Sequence, residues 1–140
     1  VEDAPWRHEP DLLALARDVD VLVVAVPGGD ATRGLVSAEV IEALGPQGVL
    51  INIARGEVVD QAALIAALRE GRLGGAGLDV FDGEPHVPQA LIDSDRTVLT
   101  PHMASATVEA RTAMADLMIA NLEAVLSGDA ALTPVPSDQR

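Results

Sequence analysis

Residues 48–56 read GVLINIARG, an apolar run that stops at an arginine and a glycine. Val49 to Ile53 reads as a strand of the kind covered on both faces, as in a parallel sheet flanked by helices. A charged side chain directly after such a strand is either solvated by chance or set there to meet something negative. The flanking sequence bears on that choice.

Upstream, VDVLVVAVP contains a second fully apolar strand, Val21–Val26, stopped by Pro27 and followed by the loop GGDATRG. Ser37 is a cap for AEVIEAL, and GPQG turns the chain into the strand at Val49. Downstream, Asp60 is an N-cap for QAALIAALRE, with Gly71 just past its end. A third strand is expected around Ala76–Asp79, and RTVLT is a fourth, ended by Pro101. Before all of these, Pro10–Arg17 reads as a short amphipathic helix with proline in its first turn. After them, Ser105 or Thr107 opens a long helix closed by Gly128, and the proline-rich tail ALTPVPSDQR reads as loose. Strand–helix alternation predicts an α/β fold with a parallel sheet and right-handed crossovers.

Composition narrows the class. The 140 residues suffice for one domain with a real core, and 49% are hydrophobic. Only 1% are aromatic, so Ala, Val, Leu and Ile must build that core. A net charge of −13 opposes binding to nucleic acid or to anionic membranes. With no cysteine, disulfides, thiolate metal sites and thiol nucleophiles are excluded. The sequence has no apolar segment long enough to span a membrane and begins with no signal-peptide pattern, so a soluble, cytoplasmic protein is the default expectation.

Open parallel sheets bind ligands beyond the carboxyl ends of their strands. The polar residues expected along that edge are Thr32, Arg55, Asp79, Asp82, Glu84, His102 and Ser105. Taken singly, each has a plain structural reading: a surface arginine, a loop carboxylate before a proline, a lone histidine in a loop. Their combination says more. Arg55 can hold a carboxylate through two parallel hydrogen bonds. Glu84 can hold one imidazole nitrogen of His102, leaving the other to give a proton to a substrate oxygen. Of the glycine clusters, GRLGGAG at 71–77 lies between a helix and a strand, the wrong order for a dinucleotide fingerprint. PGGD at 27–30 follows a strand but lacks that spacing. His8, His86 and His102 are scattered, and no metal-ligand spacing appears.

Three stretches carry a resemblance: DVDVLVVAVPGGDATRGLV at 18–36, LINIARGEVVDQAALIAALREGRLGGAGLDVFDGEP at 50–85 and VLTPHMASAT at 98–107. In order and spacing they resemble the D-isomer-specific 2-hydroxyacid dehydrogenases, especially the glyoxylate/hydroxypyruvate reductase branch. The resemblance implies the second half of a Rossmann-type doubly wound parallel sheet plus a long carboxyl-terminal helix. It implies that Arg55 anchors the substrate, that Glu84 orients the catalytic histidine, and that His102 is the acid–base. It further implies that Val26, Pro27, Thr32, Ile53, Ala54, Arg55 and Asp79 contact NAD or NADP, with Asp79 on the nicotinamide carboxamide. Met103 and Ala104 stand where members often have an aliphatic residue and glycine.

By the same resemblance the chain corresponds to the carboxyl-terminal part of a longer enzyme. Residues 1–104 would be the carboxyl-terminal half of the NAD(P)-binding domain. Residues 105–128 would form the helix leading back to a substrate-binding domain, and 129–140 a loose tail. The phosphate-binding glycine loop and the residue that separates NAD from NADP have no counterpart here. The implied function is NAD(P)H-dependent reduction of a small 2-keto acid to the D-2-hydroxy acid by a full-length homodimer. The isolated chain is expected to be inactive and either to self-associate or to be poorly soluble. The competing readings are a non-catalytic interaction protein on a dinucleotide-fold scaffold and an inactive fragment.

Overall fold

Asp11 starts the first helix: its carboxylate accepts the Leu13 N–H at 2.9 Å, opening α1 (Leu12–Asp18). Pro10 therefore lies before the cap rather than in the first turn. The computed structural model describes residues 5–135. After His102 the chain divides into two compact units.

The first unit holds a four-stranded sheet of β1 (Val21–Val24), β2 (Val49–Asn52), β3 (Gly75–Leu78) and β4 (Thr97–Leu99). The strands lie in the order β1-β2-β3-β4, and every pair is parallel. This is the α/β, Rossmann-like arrangement the alternating pattern predicts. A sheet that grows in one direction through right-handed crossovers puts its connecting helices on one face. The helices are α2 (Ala38–Leu44), which packs on α1, and α3 (Gln61–Glu70), which packs on α2. Asp60 caps α3 by accepting the Ala63 N–H at 2.9 Å, and Gly71 closes it at φ +72°. Only glycine adopts that left-handed conformation without a Cβ penalty.

The core sits between these helices and the covered face, where Leu22, Leu50, Ala76 and Leu78 are buried with Ile41, Leu64 and Leu68. Full burial of a leucine contributes about 1.5–3 kcal/mol. The opposite face is not covered in the same way. Val21 and Val23 are 50% and 55% exposed, and Val98, level with Val23 across the sheet, is 71% exposed. β2, the strand read as covered on both faces, has Leu50 and Asn52 buried but Val49 and Ile51 half-buried, so full cover on one face only is the correction. Alternation was invisible because the outward residues are apolar as well.

Boundaries also move. β1 stops two residues before Val26, and β2 stops at Asn52 rather than Ile53. A 3-10 turn, Gly56–Val58, and a short helix, α4 (Gln89–Ile92), were not foreseen. In the second unit, Thr107 rather than Ser105 opens α5 (Val108–Leu126), its hydroxyl accepting the Ala110 N–H at 3.1 Å. Asn121 of α5 is hydrogen-bonded to Thr133 through both amide groups, at 3.0 Å each. The part of the expected tail at 136–140 lies outside the described residues. Among the described residues no helix is long and apolar enough to cross a membrane.

Candidate active site

The strand register decides where the chemistry gathers. Val24, Asn52, Leu78 and Leu99 form one row across the sheet. All four strands run the same way, so the residues that follow them emerge along one edge.

Arg55 reaches this edge because of a buried polar side chain. Asn52 is 1% exposed. Its Oδ1 accepts the Ala54 N–H and its Nδ2 donates to the Arg55 carbonyl, both at 3.0 Å. The strand end is thereby turned and its backbone groups satisfied, as burial demands. The Arg55 guanidinium donates to the Ala54 carbonyl at 2.6 Å, which uses one of its five donors.

Gly56 brings the next loop alongside. A Cβ there would lie 2.0 Å from the Phe81 carbonyl carbon and 2.3 Å from the Asp82 nitrogen, so the two backbones cross in contact. Beyond that crossing the chain curls around the Glu84 carboxylate. Oε1 accepts the Phe81 N–H at 2.9 Å, and Oε2 lies 2.7 Å from His102 Nδ1. The His102 hydrogen bond, and after it the Phe81 N–H, hold the Glu84 carboxyl below the usual carboxylate range, with a small further pull from the Arg55 charge. His102 follows Pro101 at φ +50°, in the left-handed region. That conformation costs a non-glycine residue roughly 1 kcal/mol, and such outliers concentrate at functional sites.

Arg55, Glu84 and His102 line one cleft of about 340 Å³, together with Phe81 and Asp82. A larger hollow of about 500 Å³ shares Glu57 and Asp82 with it but contains none of the three. The charge pattern belongs to the smaller cleft, which is the one with a cation, a carboxylate and an imidazole.

Ser105 apart, the other expected residues lie in or beside the segments that follow the strands. Thr32 donates to the Pro27 carbonyl at 2.7 Å, folding the loop after β1 onto itself. Glu57 ties that loop to the Arg55 turn, accepting the Gly29 N–H at 2.9 Å and pairing with Arg33 at 2.5 Å. Val26 is half-buried, Pro27 and Ile53 are exposed, and Ala54 is buried. Asp79, 4% exposed at the end of β3, accepts the Thr100 hydroxyl at 2.5 Å and does not line the cleft. Ser105 belongs to the second unit. The chemistry of this edge is compatible with a dinucleotide: apolar surface from Val26 and Ile53, and an acceptor-only carboxylate from Asp79. Asn52, Gln61 and Thr100 were missed by sequence reading. Asn52 alone left a signal, a polar residue inside the apolar run LINIA.

Comparison with known proteins gives one consistent result. The family described as D-isomer specific 2-hydroxyacid dehydrogenase, NAD binding domain, matches residues 2–104. Glyoxylate/hydroxypyruvate reductase A of Arabidopsis thaliana is 54% identical over 133 residues, covering 95% of this chain and 42% of the relative. Hydroxyphenylpyruvate reductase of Plectranthus scutellarioides is 56% identical over 130 residues, covering 93% of this chain and 42% of that protein. Among solved structures, the NADPH-dependent glyoxylate/hydroxypyruvate reductase of Sinorhizobium meliloti, in complex with NADP and malonate, superposes with a TM-score of 0.93. Its sequence is 50% identical, with 96% of this chain and 42% of that one covered. The chain thus spans about two fifths of the length of the relatives it matches. With the motif order, the parallel sheet and the residues at its edge all in agreement, the chain belongs to the D-isomer specific 2-hydroxyacid dehydrogenase family and carries sequence of its NAD-binding domain.

Proposed function

We propose that this chain carries the catalytic residues of an NAD(P)H-dependent reductase that converts a small 2-keto acid, of the glyoxylate or hydroxypyruvate type, to the D-2-hydroxy acid. The observation that carries the reading is the 2.7 Å contact between Glu84 and His102 in a cleft that Arg55 also lines. The names of the similar reductases support the substrate class.

In this reading Arg55 binds the substrate carboxylate through paired N–H groups and fixes its orientation. Glu84 holds His102 by Nδ1, which leaves Nε2 for the keto oxygen. The His102 hydrogen bond and then the Phe81 N–H favour the ionised form of the Glu84 carboxyl. When bound, the reduced nicotinamide supplies the hydride that adds to the keto carbon. As the carbonyl electron pair moves onto oxygen, His102 delivers its Nε2 proton there and the hydroxyl forms. Asp79 would accept from the carboxamide. Val26, Pro27, Thr32 and the Ile53–Arg55 segment would border the remainder of the cofactor. NAD and NADP are both compatible with these residues.

The proposal extends to the whole protein. Residues 1–104 are read as the carboxyl-terminal half of the cofactor domain and 105–128 as a helix returning to a substrate-binding domain. The reading extends to a homodimer, on the family resemblance, and to a cytoplasmic location.

The test uses the full-length protein with hydroxypyruvate and either NADH or NADPH, following loss of the reduced nicotinamide absorbance. His102→Ala is expected to lower turnover on the order of 10²–10⁴-fold with cofactor affinity little changed. Near-normal turnover by that variant overturns the assignment.

A further inference from the structure

Gln61 is the first residue of α3, next to the cap Asp60. The Asp60 carboxylate takes the Ala63 N–H, so the side-chain amide of Gln61 is not needed to start the helix. It is used elsewhere. Oε1 accepts the Asp82 N–H at 3.1 Å, and Nε2 donates to the Asp82 carbonyl at 3.3 Å. One amide thus pairs with both backbone groups of one residue, as a neighbouring strand would. Asp82 lies in the stretch that curls around the Glu84 carboxylate, one residue after the Phe81 N–H that Glu84 accepts. The Gly56 backbone touches the same stretch at Phe81 and Asp82.

We infer that Gln61 is a positioning residue for the Glu84–His102 pair: it fixes the Phe81–Glu84 loop from α3 so that the carboxylate meets the imidazole. This rests on the catalytic reading above for its effect on turnover, but not for its effect on Glu84. Gln61 itself does not line the cleft with Arg55 and His102. It acts by geometry, and geometry is costly to lose, since a displacement of about 1 Å can reduce turnover up to about 100-fold.

Two readouts test this in the full-length protein. In Gln61→Ala, turnover falls about 10- to 100-fold. KM for the keto acid changes little, because Arg55 and its Asn52 support are untouched. The Glu84 carboxyl, followed by carbon-13 NMR during an acid titration, moves up toward the ordinary carboxylate range as its two donors loosen. Gln61→Glu keeps an acceptor for the Asp82 N–H but loses the donor, and should fall between wild type and Gln61→Ala in both readouts. If Gln61→Ala does not fold, Gln61→Glu carries the same test. An unchanged Glu84 titration in a folded variant overturns the inference, whatever happens to turnover. Failure of the catalytic reading is recognised separately, by His102→Ala retaining activity.

Discussion

Glu84 serves two donors at once, and each oxygen has its own partner. With His102 and then Phe81 depressing its pKa, the folded chain binds fewer protons at this site than the unfolded chain does as the solution turns acid. Its contribution to stability is complete above the ordinary glutamate value, about 4.3, and is lost as pH falls through the lower folded value. The stability advantage of wild type over Glu84→Gln should therefore be level just above that pH and shrink below it. Urea unfolding of the two proteins at a series of acid pH values reads this directly. A gap that widens on acidification would mean that the carboxylate is not held as described.

Between residues and the sheet stand the strand ends, and the end of β2 depends on Asn52. Replacing it with leucine strips the Ala54 N–H of its partner, while the Arg55 carbonyl loses one donor and keeps the Val58 N–H at 3.2 Å. Leaving that buried donor unsatisfied costs about 1–3 kcal/mol. Asn52→Leu should lower unfolding stability by at least that amount and raise KM, since Arg55 loses its support; a neutral effect in urea unfolding would show that water reaches the strand end. At this scale much was legible. The four strands, the α3 cap at Asp60 and the long helix follow from apolar runs and local capping chemistry. Arg55, Glu84 and His102 could be marked because each follows a strand end inside a recognisable motif. What was not legible depends on segments meeting far apart in sequence. Gln61 and Asp82 are 21 residues apart, and nothing local in either announces their pairing. The left-handed backbone of His102 is likewise invisible, because histidine seldom adopts it without surrounding support.

For the molecule as a whole, the main fact is an imbalance between charge and cover. The chain carries a net charge of −13, yet one sheet face presents Val21, Val23 and Val98, and β1 pairs on one side only among the described residues. An apolar edge strand is a template for another chain. Repulsion between copies opposes that pairing at low ionic strength and weakens once the Debye length falls to about 10 Å, near 0.1 M salt. Light scattering of this polypeptide should therefore show self-association that increases with sodium chloride. A particle size that is constant or falls with added salt would count against it. The uncovered face also has a thermal consequence. Unfolding raises heat capacity by bringing apolar surface into water, by about 12–15 cal/mol/K per residue in ordinary domains. Here part of that surface is hydrated before unfolding begins, so the increment falls below that range and the stability curve of the isolated chain is flatter against temperature.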